Sequence, residues 1–179
     1  MTKPELSTTL LTNHYEFQKY LTGLNAEELI LSKNNKWTAV QHLEHICLSV
    51  QPVRLAFILP KFLLRLVFGK ANRPSKTYDQ LIEKYKAKLQ AGGRASGRFV
   101  PATGTAKKYQ HLNTWLTTEV KTLSSKINRF SEAELDAYIL PHPLLGKLTL
   151  REMLYFTCYH VTHHLELTKQ NLHEGVKTA

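Results

Sequence analysis

Apolar residues recur at helical spacing along most of the chain, whereas the alternation typical of strands is nearly absent. This spacing predicts four long helices, at about residues 5–22, 38–52, 105–129 and 149–172. Thr38 and Gln41 have the spacing of a capping box at the start of the second of these helices. Thr149 and Glu152 repeat that spacing at the start of the last helix. The pattern therefore predicts an all-α fold, a four-helix bundle.

A long insertion, at about residues 53–103, separates the second and third main helices. It follows Pro52, which is expected to kink or end the second helix. Residues 53–68 are mostly apolar but shorter than the roughly 20 residues that a membrane span needs. We expect them to form a core helix or a lid over a site, with a dimer face and an interfacial membrane helix as further alternatives. Residues 69–105 are rich in Gly and Pro and should form a long excursion with one helical piece near 77–90.

The length and the charge of the chain limit the number of domains and the kinds of partner that we expect. The 179 residues suffice for a single domain, residues 1–179, with a substantial core. The net charge is +10, and residues 61–100 hold ten Lys/Arg and two Asp/Glu, a local balance of 10 − 2 = +8. Such a basic region can attract phosphates, anionic lipids or an acidic substrate, or it can be a solvated loop. Aromatic residues are not interleaved with the basic ones for stacking, which argues against nucleic acid as a partner.

The two cysteines, Cys47 and Cys158, imply no disulfide framework and fit a reducing compartment. The first residues of the chain lack an apolar signal core, so a cytoplasmic location is expected. Each cysteine lies two residues from a histidine, roughly 200° around a helix, and should point away from it. We therefore expect both thiols to be small buried apolar groups.

Histidines supply the candidate chemistry, because five of the nine lie in two short windows that should be helical. In the last helix, His160 and His164 are four residues apart and face the same way, whereas His163 points about 100° away from His164. In the second helix we favour His45 over His42 because it lies deeper in the helix. Three imidazoles of this kind would form a metal site with open positions, suited to zinc or nickel. Hydrogen-bonded core histidines, or surface histidines without a role, are the alternatives.

These windows also resemble those of a known family. Trp37 stands at a helix start with His45 eight residues later, and a His-x-x-His-His motif begins at His160. Residues 140–148, which precede the last helix, are expected to form a rigid turn. They overlap a His-Pro…Gly-x-Leu-Thr segment at residues 142–149. In order and spacing, from about residue 5 to 172, the chain resembles the DinB-like superfamily of bacterial four-helix-bundle metalloenzymes.

The resemblance implies a divalent metal held by His45, His160 and His164. It also implies a metal-dependent enzyme, a thiol-dependent S-transferase or a hydrolase, with a low-molecular-weight thiol as partner. Candidate acid–base groups are His163, Glu44 and Tyr159, and the sequence places none of them.

Two departures from the family pattern bear on this interpretation. Leu167 stands where family members often carry Gln, so a partner for a ligand is either missing or supplied elsewhere. The long insertion could reshape or cover the site. Two other functions therefore stay open: a non-enzymatic helical module that binds an acidic partner or a membrane surface, and a degenerate family member with a purely structural metal. The apolar residues 53–68 also make a homodimer plausible.

Overall fold

Helices make up most of the chain in a computed structural model that describes residues 1–176, with side chains for 1–173. The helices are α1 (Lys3–Thr22), α2 (Ala26–Ile30), α3 (Ala39–Ile58), α4 (Lys61–Phe68), α5 (Tyr78–Gln90), α6 (Tyr109–Ile127), α7 (Glu132–Ala137) and α8 (Leu150–Val176). Two short strands, β1 (Ile139–His142) and β2 (Gly146–Thr149), form an antiparallel hairpin. Short 3₁₀ turns lie at Gly97–Phe99 and Ala106–Lys108. The predicted all-α fold is confirmed.

The four long helices α1, α3, α6 and α8 form the bundle, with α3 packed against α6 and α1 against α8. Their inward faces supply a single apolar core that includes Phe17, Leu43, Leu116 and Leu154. Both predicted capping boxes are present. The Thr38 side chain accepts a hydrogen bond from the backbone N–H of Gln41 at the start of α3. Thr149 and Glu152 cap the start of α8 in the same reciprocal way.

Two local predictions need correction. Pro52 does not end the second helix, because α3 continues to Ile58. Buried residues such as Val53 and Phe57 extend the apolar face beyond the proline, and their packing outweighs the one lost backbone hydrogen bond. Residues 140–148, expected to be a turn, form most of the β hairpin. Each strand has only four residues, too few for an alternating pattern to show in the sequence.

The side chain of His142 stabilises the tip of this hairpin. Its Nδ1 accepts hydrogen bonds from the backbone N–H groups of Leu144 and Leu145, both at 3.1 Å. Gly146 follows with a φ of 78°, a left-handed conformation that favours glycine. The His-Pro…Gly segment noted in the sequence therefore has a structural role in a tight turn.

Residues 53–68 combine a buried face with an exposed apolar one. Leu64 on α4 is buried in the core, and Lys61 forms an ion pair of 2.7 Å with Glu134 of α7. Leu66 and Val67, also on α4, are 78% and 64% exposed. Within residues 1–176, no single helix has the length and apolar composition to cross a membrane; only the pair α3–α4, bent by 116°, meets those two criteria together.

A buried carboxylate of α8 binds residues 73–76 of the basic insertion. Glu152, whose side chain is fully buried, accepts hydrogen bonds from both terminal nitrogens of Arg73, at 2.6 and 2.8 Å. It also accepts one from the backbone N–H of Lys76 at 2.8 Å. Burial alone would raise the pKa of Glu152, but the hydrogen bonds, led by that from Arg73, lower it overall. Part of the positive charge of the insertion therefore serves to pair a buried acid.

We expect Arg73→Ala to lower the free energy of unfolding by about 2 kcal/mol, because Glu152 would lose its charged partner in a buried position. The figure is below that of a fully buried pair because the Arg73 side chain is 35% exposed. Urea denaturation measures the change. Arg65→Ala, which removes an exposed arginine on the neighbouring helix, is the control and should leave the transition in place. Equal midpoints for the two variants would contradict the proposed anchor.

Candidate metal centre

Three imidazoles converge where α3 faces α8. The Nε2 atom of His160 lies 3.2 Å from that of His45 and 3.1 Å from that of His164. All three side chains are buried. Among the described residues, these three form a group whose ligand atoms all lie within 4.8 Å of one another. The structure thus brings together the three histidines that the sequence singled out.

These distances fit a shared metal ion. With metal–nitrogen bonds of about 2.0–2.1 Å, two ligand nitrogens are about 2.9 Å apart at octahedral angles and about 3.4 Å apart at tetrahedral angles. The two measured separations fall between these values. The cluster could therefore hold a divalent metal with little rearrangement, and three protein ligands would leave positions for small molecules.

Two of the imidazoles use their other nitrogen to contact the protein. His45 donates from Nδ1–H to the carbonyl oxygen of Phe99, at 2.6 Å, which leaves its Nε2 lone pair free. The Nδ1 atoms of His164 and His42 are 2.7 Å apart, and His164 keeps its Nε2 lone pair free when its Nδ1–H donates to His42. Such contacts fix the orientation and tautomer of a ligand histidine. Leu167 cannot hydrogen-bond to a ligand histidine as a Gln at that position could. His42 and the backbone of the insertion supply such hydrogen bonds instead.

His42, the ligand candidate that we ranked below His45, therefore contacts one of the three converging histidines and is not itself one of them. It contacts His164, and its Nε2 lies 3.5 Å from the side-chain nitrogen of Asn171. The sequence could not show this role, because two histidines three residues apart on one helix differ only slightly in direction.

Trp37 covers the cluster from the start of α3. Its ring centroid lies 5.0 Å from that of His45, 5.6 Å from that of His42 and 6.1 Å from that of His164. This large apolar ring excludes water from one side of the imidazoles. The tryptophan of the sequence motif is therefore part of the wall of the site.

Burial keeps the imidazoles neutral. Desolvation lowers the pKa of His45, and it places the pKa values of His160 and His164 well below the ordinary value. Desolvation, with a smaller repulsion from His45, lowers the pKa of His42 to about 3. Neutral imidazole is the form that binds a metal, so the cluster is ready for an ion at neutral pH.

A cavity of about 1010 Å³ adjoins the cluster. Tyr85 of α5 and His163 of α8 lie on its wall beside the candidate ligands. Among the side chains that the structure describes, those lining the cavity include neither Glu44 nor Tyr159. Of the three acid–base candidates from the sequence, only His163 therefore faces the space where a substrate could bind.

His14 of α1 also lines this cavity, and the sequence analysis missed it. Its Nδ1–H donates to the carbonyl oxygen of Leu10 at 2.7 Å, so its Nε2 is left as a hydrogen-bond acceptor. That Nε2 is buried and has no hydrogen-bond partner. A single histidine on an apolar helix face is indistinguishable in sequence from a core residue, although its spacing from Leu10, Phe17 and Leu21 indicated that it faces inward.

Both cysteines are buried, as predicted. The thiol of Cys47 contacts the carbonyl oxygen of Leu112 at 3.4 Å, and burial raises its pKa. Burial raises the pKa of Cys158 to about 12. Neither residue lines the cavity as the structure describes it, so neither thiol is placed to react with a bound molecule.

The fold and the cluster define a helical-bundle protein with a buried group of three histidines that could bind a metal ion. The chain belongs to the DinB superfamily, since the model of that superfamily matches residues 9–168. The match includes all three histidines and confirms the resemblance seen in the two windows. No curated protein matches the chain.

The burial of His14 should be visible in the pH dependence of stability. Desolvation lowers its pKa to about 4, so in acid the unfolded chain binds a proton that the folded chain does not. The resulting stability is complete above the unfolded pKa of about 6.5 and is lost as the pH falls towards 4. For metal-free protein we expect wild type to lose about 3 kcal/mol more than His14→Gln over this range.

Chemical denaturation at several pH values measures the difference between the two proteins. His111→Gln, which replaces an exposed histidine, is the matched control and should follow wild type. A His14→Gln variant with an unchanged slope of stability against pH would refute the buried neutral state of His14.

Proposed function

We propose that the protein is a metal-dependent enzyme whose divalent metal, zinc or nickel, is held by His45, His160 and His164. The convergence of their three Nε2 atoms, 3.1–3.2 Å apart along two sides, is the observation that carries this proposal. The cavity beside the cluster supports a catalytic rather than a purely structural metal, because a molecule could reach the open coordination positions.

We further propose a thiol-dependent S-transferase, in which the thiol is a small molecule. A metal in this site would act as a Lewis acid and lower the pKa of a thiol or water bound to it. The sulfur has to come from outside the chain, because Cys47 and Cys158 are buried away from the cavity. The space of about 1010 Å³ suits a thiol and a second substrate together.

His163 is the residue we assign to proton transfer in this reaction. It lies on the cavity wall, with its ring centroid 5.3 Å from that of His164. Burial lowers its pKa, so that it is neutral at pH 7 and able to accept the proton that a thiol loses. A hydrolase, in which water takes the place of the thiol, is the other outcome that the experiments below distinguish.

Metal content tests the ligand set. We expect about one zinc or nickel ion per chain in the untagged wild-type protein, and none in His45→Ala, His160→Ala or His164→Ala, because two imidazoles bind far more weakly than three. Elemental analysis after dialysis measures the stoichiometry, and circular dichroism checks that each variant stays helical.

Two neighbouring histidines provide graded controls for this experiment. His163→Gln should keep the full metal content, since this ring is not among the converging three. His42→Phe removes the contact to His164 and should weaken metal binding by roughly 10–100-fold without abolishing it. Full metal content in the His45→Ala variant would show that the assignment of His45 is wrong.

Thiol binding tests the reaction class. In protein loaded with cobalt(II), addition of a low-molecular-weight thiol such as cysteine should produce a sulfur-to-cobalt charge-transfer band, because thiolates are favoured ligands of such metals. The matched alcohol, serine, should leave the spectrum unchanged. Cobalt-loaded protein that shows no such band with any thiol, yet hydrolyses an ester or amide, would exclude the transferase and favour the hydrolase.

A further inference from the structure

The cavity extends far beyond the histidine cluster. Helix α3 lines it from the histidines to Ala56, a path of about 16 Å from His45 at 1.5 Å per residue. Beyond that point Leu59, Phe68 and Leu140 continue the wall. The space is therefore elongated, with imidazoles at one end and an apolar region between α3, α4 and the β hairpin at the other.

The charged groups on the wall of this cavity are of one sign. Among the side chains that the structure describes, no Asp or Glu lines it, whereas Lys36, Arg94 and Arg98 do. Neither Arg94 nor Arg98 forms an ion pair with any described acidic side chain. Arg94 instead donates to the backbone carbonyl oxygens of Leu89 and Gly93, and the Arg98 guanidinium lies 5.1 Å from the ring centroid of Phe99. Unlike Arg73, neither is therefore neutralised by a described carboxylate.

The position of Arg98 relates this charge to the histidines. It directly precedes Phe99, whose carbonyl oxygen accepts the hydrogen bond from His45. Arg98 therefore belongs to the backbone segment that contacts the histidines, and Arg94 lies four residues earlier in the same segment; both side chains are exposed. The basic residues of the wall thus belong to the segment that reaches the histidines, whereas the wall along α3 beyond His45 is mostly apolar.

We infer that the substrate of this site is an amphipathic anion, an apolar body that carries a carboxylate or phosphate head. The head would lie near Arg94, Arg98 and the imidazoles, where charge-assisted hydrogen bonds stabilise it. The body would lie along α3, where burial of apolar surface supplies the affinity. A sugar-like molecule would leave hydroxyl groups unpaired against these walls, and a cation would be repelled. The inference deepens the proposed function, since it names the substrate class of the same site.

Calorimetric titration of metal-free protein with decanoate tests this inference. We expect saturable binding of one decanoate per chain. Acetate, which has the head without the body, and decyltrimethylammonium, which has the body with the opposite charge, should each bind at least tenfold more weakly. Decyl phosphate beside inorganic phosphate separates a preference for carboxylate from a preference for phosphate. Equal affinity for decanoate and decyltrimethylammonium, or for decanoate and acetate, would overturn the inference.

The double variant Arg94→Gln/Arg98→Gln tests the head-group site. Decanoate should bind about tenfold more weakly to it, while decyltrimethylammonium should bind at least as well as to wild type. The matched control is Lys121→Gln, an exposed lysine on α6 that does not line the cavity and should leave decanoate affinity unchanged. Unchanged decanoate affinity in the double variant would refute the role of the two arginines.

Metal content, measured separately on the same preparations, distinguishes the two proposals. Decanoate binding by a protein that takes up no metal would overturn the proposed enzyme and leave the amphipathic ligand standing. A protein that holds one metal ion but binds decanoate no better than acetate would retain the metal centre and lose the substrate class.

Discussion

Three imidazoles lie buried between α3 and α8, and the rest of the site depends on their staying neutral there. A proton on one of them would be opposed by desolvation and by its neighbours. Neutrality frees the Nε2 lone pairs, but it requires that the Nδ1 atoms have partners inside the protein. Those of His45 and His164 find them in the carbonyl of Phe99 and in His42. The orientation of two of the three candidate ligands is thus set by residues outside the converging group.

Because the ligand histidines need hydrogen-bond partners, the insertion is an integral part of the site. Its residue Phe99 orients His45, its helix α5 contributes Tyr85 to the cavity wall, and its Arg73 pairs with the buried Glu152 at the start of α8. The basic residues of the insertion occupy two different environments. Arg73 pairs with Glu152, whereas Arg94 and Arg98 are exposed residues that line the cavity.

Local rules in the sequence were sufficient for the bundle and for the three converging histidines. Helical spacing and two capping boxes predicted the main helices, and an i/i+4 pair together with a family motif pointed to His45, His160 and His164. What the sequence could not supply depends on contacts between distant segments. The bond from His45 to Phe99 joins residues 54 positions apart, and His14 reaches the cavity from a helix with no motif. The β hairpin escaped notice because strands of four residues are too short for an alternating pattern to be recognised in the sequence.

The contact between His45 and Phe99 gives Phe99 two roles, one for its backbone and one for its side chain. The backbone carbonyl orients the imidazole, while the aromatic side chain forms part of the cavity wall. Every amino acid has that carbonyl, so position 99 can exchange its side chain without removing the hydrogen bond. Over evolution, the insertion can therefore diversify the shape of the pocket while the histidine cluster stays intact. The side chain of residue 99 can thus change what the cavity accepts, while the carbonyl of the same residue continues to orient His45.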